Sequence, residues 1–222
     1  MRNTVKNISE AFTFIFKDPD WSIKILMGAL FTFLSIFLIG IPVVYGYYIE
    51  LIQRQKRGEK YPLPDWKDVG VKFILGLKYL VTLLIYYIPL MLILIPIFLM
   101  ILLYLFQGMT FLEFADSSAL IIIIFLAVLP YSLIIALMTP IISIQFAERE
   151  SIGDGLRIGR VVNLFKQCWQ DVIVVVALCF AIDLLASIGI IFFIVGILFT
   201  SFYVSLVRFH LYGQIAISLQ KI

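Results

Sequence analysis

Tyr79 to Phe106 reads YLVTLLIYYIPLMLILIPIFLMILLYLF, and Ala119 to Ile144 reads ALIIIIFLAVLPYSLIIALMTPIISI. Crossing roughly 30 Å of hydrocarbon takes about 20 helical residues at ~1.5 Å each, so either stretch is long enough to span a bilayer. Neither alternates polar with apolar as a barrel strand does, and in lipid only a helix or a closed barrel satisfies its own backbone. The chain therefore reads as an all-α integral membrane protein built around this central pair. Pro89, Pro96, Pro130 and Pro140 interrupt the two spans, and each removes a helical hydrogen bond.

Two further apolar runs flank the pair. Val172 to Val207 is too long for one crossing even with tilt, and is expected to fold back at Ser187-Ile188-Gly189 into arms 172–186 and 190–207. Ile25 to Ile49 would suffice for one kinked span, but basic residues flank both its ends. The Gly40-Ile41-Pro42 break favours a hairpin, with Trp21 to Ile39 going out and Val43 onward returning. Glu50 and Arg54, four apart, are placed to pair on the returning arm.

The expected architecture is a bundle of about six membrane-embedded helices. Two broken hairpins, 21–57 and 172–207, flank the central spans 79–106 and 119–145. An apolar arm, a glycine-bearing break and a second arm recur in both hairpins. Both enter from the same side, however, which argues against an inverted repeat of the transporter kind.

Composition agrees: with 63% hydrophobic residues and a mean hydropathy of +1.08, little of the chain is left to fold in water. Residues 1–222 are read as a single membrane domain.

Charge sets the orientation. Arg2, Lys6, Lys17 and Lys24 precede the first run, Arg54 to Lys78 holds a dense basic group, and Arg149 to Lys166 holds another. The connection Gln107 to Ser118 has no basic residue, only Glu113 and Asp116. By the positive-inside bias, both basic connections and both termini (N-in/C-in) face the cytoplasm of a cell-membrane protein. Topology accounts for the basic residues, so no nucleic-acid partner is expected.

Three stretches outside the spans are amphipathic. In residues 1–17, Val5, Ile8, Phe12, Ile15 and Phe16 oppose Lys6, Asn7, Glu10, Thr13 and Lys17, which suits an interfacial helix ended by Asp18-Pro19-Asp20. No small-residue cleavage site follows, so a secretory signal is not expected. In 58–78, Asp65 is placed to cap a helix starting at Trp66, with Val69, Phe73 and Leu77 on its apolar face. In 146–170, Ser151 and Asp154 resemble a capping box, and Ile152, Leu156 and Leu164 alternate with Arg157, Arg160 and Asn163. Trp21, Trp66 and Trp169 are the expected interfacial anchors.

Chemistry is sparse. Asp183 is the one carboxylate expected well inside the membrane, where an unpaired charge costs a few kcal/mol. Cys179, Asp183 and Ser187, spaced by four, form one polar stripe, and Thr139 and Ser143 offer a second on a preceding helix. Such a site is either a proton or cation relay, or a protonated Asp bonded to a neighbouring helix.

The single histidine, His210, rules out a multi-histidine metal centre, and no catalytic, phosphate-cradling or cofactor motif occurs. Cys168 and Cys179 would lie roughly 16 Å apart on a helix, too far to bridge. A structural or accessory subunit, not an enzyme, is the expectation. Its partners would be membrane lipids, a membrane protein or a second copy of the chain. The alternative is a small transporter or lipid-handling protein with a midplane site around Asp183.

Gly46-Tyr47 after the first hairpin, Leu63-Pro64-Asp65-Trp66 and Gly76-Leu77 resemble the multi-pass archaeal and bacterial membrane proteins grouped as domain of unknown function 4013. The ending is similar as well, from Gly189 through Phe202-Tyr203 to His210-Leu211-Tyr212-Gly213-Gln214. The resemblance implies a multi-pass fold and supplies no activity.

Overall fold

The computed structural model describes residues 8–106, 124–186 and 193–220, and these are all-helical with no strand among them. In chain order the helices are α1 (Ile8–Thr13), α2 (Trp21–Leu34), α3 (Gly40–Lys56), α4 (Val69–Phe106), α5 (Leu129–Arg149), the single turn α6 (Ile152–Gly155), α7 (Ile158–Ala186) and α8 (Phe193–Leu219). By length and composition, three can cross a membrane: Val69–Met100, Leu126–Arg149 and Ile158–Leu184. A fourth is available if Ile8–Lys17 and Trp21–Phe37, bent by 102°, form one broken span.

Two compact units divide the chain, Met1–Thr82 with Pro140–Ile222, and Leu83–Thr139. In the first, α2 and α3 form the expected antiparallel hairpin. Its turn falls slightly before Gly40-Ile41-Pro42, through a 3₁₀ turn Ser35–Phe37 and a left-handed Leu38 (φ 65°). Proline at the third position of α3 forces no break there, because the first turn of a helix needs no N–H from it.

Helix α3 is the centre of this unit, buried from Val43 to Ile52 along most of its surface. Tyr47, Tyr79, Phe146 and Phe202 are the largest fully enclosed side chains of the core. Helices α3 and α4 meet where neither has a side chain: a Cβ on Gly46 would lie 1.9 Å from the Lys72 carbonyl oxygen, and one on Gly76 1.7 Å from that of Pro42.

Two expected boundaries move. The helix after Asp65 begins at Val69, not Trp66, and runs unbroken into the apolar run as 38 residues of α4. The helix expected across 146–170 likewise merges with the following arm into α7, bent at Cys168 (φ −133°). Hydropathy marks where a helix enters lipid, but only a breaker or a competing cap ends it. Neither Lys78 nor Asp171 is one.

Ser151 does stand at the N-cap of α6 but makes no side-chain cap bond, and Asp154 pairs instead with Arg157 at 3.0 Å. The first helix, expected to lie in an interface, packs one face on the protein. Ala11, Phe14 and Ile15 are buried, and the Tyr203 hydroxyl of α8 donates to the Phe12 carbonyl at 2.8 Å.

In the second unit the α4 segment keeps Pro89 and Pro96 within a continuous helix. Pro89 withdraws one N–H from that turn, and the Tyr131 hydroxyl donates to the nearby Tyr86 carbonyl at 2.8 Å. A π-turn, Ile124–Val128, precedes Pro130 at the start of α5. Pro140 is carried inside α5.

Candidate functional site

The most elaborate polar arrangement in the first unit surrounds Leu63-Pro64-Asp65-Trp66, a segment without helix or strand. Each of its four residues is held by the α2–α3 hairpin. The Lys24 ammonium has three N–H donors, and three acceptors meet it: Asp18 Oδ2 at 2.8 Å, Asp65 Oδ1 at 3.0 Å and the Leu63 carbonyl at 3.0 Å. Asp18 is 3% exposed, so this charge has left water only because Lys24 came with it.

The Tyr47 hydroxyl donates to the Pro64 carbonyl at 2.9 Å. The Trp66 indole N–H donates to the Lys24 carbonyl at 2.8 Å, and its ring stacks between Tyr47 (4.2 Å) and Phe31 (4.8 Å). Trp66, expected as an interfacial anchor, is partly buried between these two rings, and Asp65, expected as a helix cap, is an ion-pair partner. Trp21 and Trp169 do present their rings at the surface.

A second charge chain continues from Asp65. Arg54 reaches Asp65 at 3.6 Å, Glu59 at 3.5 Å and Glu50 at 2.9 Å, the last being the expected four-residue pair. Glu50 in turn holds the buried Lys72 of α4 at 2.8 Å. At the far end of α3, Gln53 donates to the Ala147 carbonyl (3.0 Å) and to Glu150 (2.8 Å), and Glu148 bridges Lys56 (2.8 Å) and Arg160 (2.6 Å). The hairpin is therefore tied to α4, α5 and α7 through charged side chains.

Burial raises the tendency of Asp65 to hold a proton. The hydrogen bond and charge of Lys24, then the charges of Arg54 and Lys67, outweigh it and bring its pKa below the ordinary 3.8. The contribution of this clasp, the segment Leu63 to Trp66 with Lys24, Tyr47 and Arg54, is therefore present above about pH 4 and lost as the pH falls through the lowered value. Acid titration of Trp fluorescence should show a transition below pH 3.8 that is missing in Asp65→Asn.

The expected polar stripe is only partly assembled. Asp183 of α7 is paired with Arg208 of α8, and Cys179, one turn away, also lies within bonding reach of Arg208. Tyr45 and Tyr212 complete the electrostatic surroundings of the guanidinium. Ser143 bonds the Tyr79 hydroxyl at 2.7 Å, and Thr139 donates to the Ile135 carbonyl of its own helix at 2.7 Å. Ser187 lies outside the described residues.

The pairing also corrects the register of the last hairpin. A turn centred on Ile188 would set Asp183 opposite Phe193, whereas its partner Arg208 stands about four turns further along α8. Helix α8 runs on through Arg208 to Leu219, past the expected end at Val207. Arg208, one residue past that expected end, is the partner of Asp183. Among the described residues no group of three or more His, Cys, Asp or Glu is gathered as a metal centre, and both cysteines are free thiols.

The residues of the earlier resemblance are those that hold the first unit together: Gly46 and Gly76 at the helix crossing, and Leu63 to Trp66 in the clasp. At the end of the chain, the His210 ring stacks on Phe14 at 4.0 Å, and Gly213 leaves room for the Gln55 side chain. The family model described as Protein of unknown function (DUF4013) matches residues 29–200. The chain belongs to this family. No curated protein and no solved structure matches it. The DUF4013 match covers the α2–α3 turn, the clasp and both central helices, while His210 to Gln214 lie beyond it.

Proposed function

We propose that this DUF4013 protein is a multi-pass accessory subunit of the cell membrane, not an enzyme, that binds lipid and a membrane-protein partner or a second copy of itself. In this reading six helices are embedded, both termini are cytoplasmic, and the basic connections 54–78 and 149–166 face the cytoplasm.

One observation carries it: of the most apolar window of α4, only 6% is buried within the protein. Leu84, Leu92, Ile95, Phe98 and Leu103 are exposed along one broad face of the helix, a surface suited to acyl chains or to another membrane helix. The polar side chains named above are meanwhile engaged with one another. Asp183, on which the transporter reading depends, is neutralised by Arg208.

Purification from native membranes in lipid discs tests the proposal. The expected result is a stoichiometric membrane-protein partner or a homo-oligomer, with bound lipid identified by mass. Reconstituted vesicles should show no proton-coupled flux that Asp183→Asn abolishes. Isolation as a lipid-free monomer, together with such a flux, would reverse the assignment in favour of transport.

A further inference from the structure

The α2–α3 hairpin carries no charged residue between Lys24 and Glu50. Its outward stripe, Ile23, Leu26, Leu30 and Phe33, recurs at helical spacing and is exposed. The stripe leads to a turn, Ile36-Phe37-Leu38-Ile39, in which all four side chains are between 62% and 72% exposed. Turns that emerge into water normally carry Gly, Asn, Asp or Ser. Here the one left-handed position, which Gly or Asn would fill without strain, is Leu38 (φ 65°).

Within the turn one backbone bond and one side-chain bond are made locally. The Leu38 N–H donates to the Ser35 carbonyl at 3.0 Å, and the Ser35 hydroxyl donates to the Phe31 carbonyl at 3.0 Å. The one polar side chain of the turn is thereby spent internally. From Trp21 to Phe37 the outward arm spans about 25 Å, against roughly 30 Å of hydrocarbon. The ionic groups Asp18, Lys24, Asp65 and Arg54 gather at the opposite, open end of the hairpin.

We infer that the α2–α3 hairpin is a re-entrant insertion: its turn, Ile36 to Ile39, ends among lipid acyl chains, and both arms leave by the face that carries the clasp. The occupant of the exposed stripe is lipid. A crossing hairpin would need a polar turn for the opposite headgroups, and here the one polar side chain, Ser35, bonds the Phe31 carbonyl. The inference rests on the membrane reading of the chain and replaces two of its six crossings by one insertion.

The test uses the full-length protein with Cys168→Ala and Cys179→Ala, purified and reconstituted in sealed phosphatidylcholine vesicles. A single cysteine at Leu38→Cys, and separately at Phe37→Cys, carries a bimane fluorophore. Leu92→Cys in α4 serves as the control for the membrane reading itself. Nitroxide lipids labelled deep in the chain should quench the Leu38 and Phe37 probes about twofold more than lipids labelled near the headgroup. An impermeant maleimide should label neither cysteine from either side.

Labelling of Leu38→Cys and Phe37→Cys from the side opposite Arg57 would overturn the inference in favour of a crossing hairpin. Probes that no lipid quenches, but that crosslink to a second copy, would overturn it in favour of a protein contact. If Leu92→Cys also escapes quenching, the membrane reading fails together with the inference. If Leu92→Cys is quenched and the turn is not, the inference alone fails.

Discussion

Gly76→Leu is expected to prevent stable folding of the first unit. A Cβ at this position would meet the Pro42 carbonyl oxygen at 1.7 Å and the Gly46 amide nitrogen at 2.6 Å, both backbone atoms that no rotamer change can remove. The helices would have to separate, and separation would strip the Glu50–Lys72 pair and the packing of Tyr79 along with it. Overpacking typically costs about 1–3 kcal/mol when side chains can give way, and here only backbone is available to yield.

Gly46→Val faces the same obstacle at the Lys72 carbonyl. Gly70→Ala, with nothing within 4 Å of the added carbon, should be neutral or stabilising by up to ~1 kcal/mol. Thermal unfolding in detergent, followed by size-exclusion chromatography, distinguishes them. A Gly76→Leu protein that elutes and melts like Gly70→Ala would show that the crossing is not tight.

Lys24→Met should be nearly as damaging, for an electrostatic reason. The substitution keeps the apolar stem and removes the ammonium, leaving the Asp18 carboxylate buried without its cation and the Leu63 carbonyl without its donor. Breaking a buried pair from one side costs roughly 3–5 kcal/mol, mostly the penalty of the stranded charge. Adding Asp18→Asn to Lys24→Met should therefore restore much of the loss. If the two substitutions are simply additive in melting experiments, the pair is not the source of the stability. The expected readout of detachment is faster proteolytic cleavage between Tyr61 and Trp66.

Much of the helical content was legible in the sequence because long apolar runs without barrel alternation leave the backbone one solution. The first hairpin was legible too, since Gly40-Ile41-Pro42 marks a break in the apolar run close to the turn at Ser35 to Leu38. The helix ends were less so. Asp65 looks like a cap and Trp66 like an anchor when only neighbours in the chain are considered. Both are instead claimed by Lys24, Arg54, Tyr47 and Phe31, residues that become neighbours only after the hairpin closes.

The Asp183 environment shows the same limit. Cys179 follows from the four-residue spacing, but Arg208 does not, because it stands 25 residues away on another helix. Pairing across helices depends on register, and nothing in the spacing of Val172 to Val207 encodes it. Glu50 and Arg54, whose partnership is local, were readable directly.

The threefold coordination of the Lys24 ammonium has a consequence for the order in which the molecule can be completed. A ribosome delivers Asp18 and Lys24 early, yet two of the three oxygens that receive this ammonium belong to Leu63 and Asp65. Until some forty further residues have been added, the first hairpin holds a cation with one partner. Its final seating therefore waits for the linker that follows it, and the opening third of the chain matures as one piece.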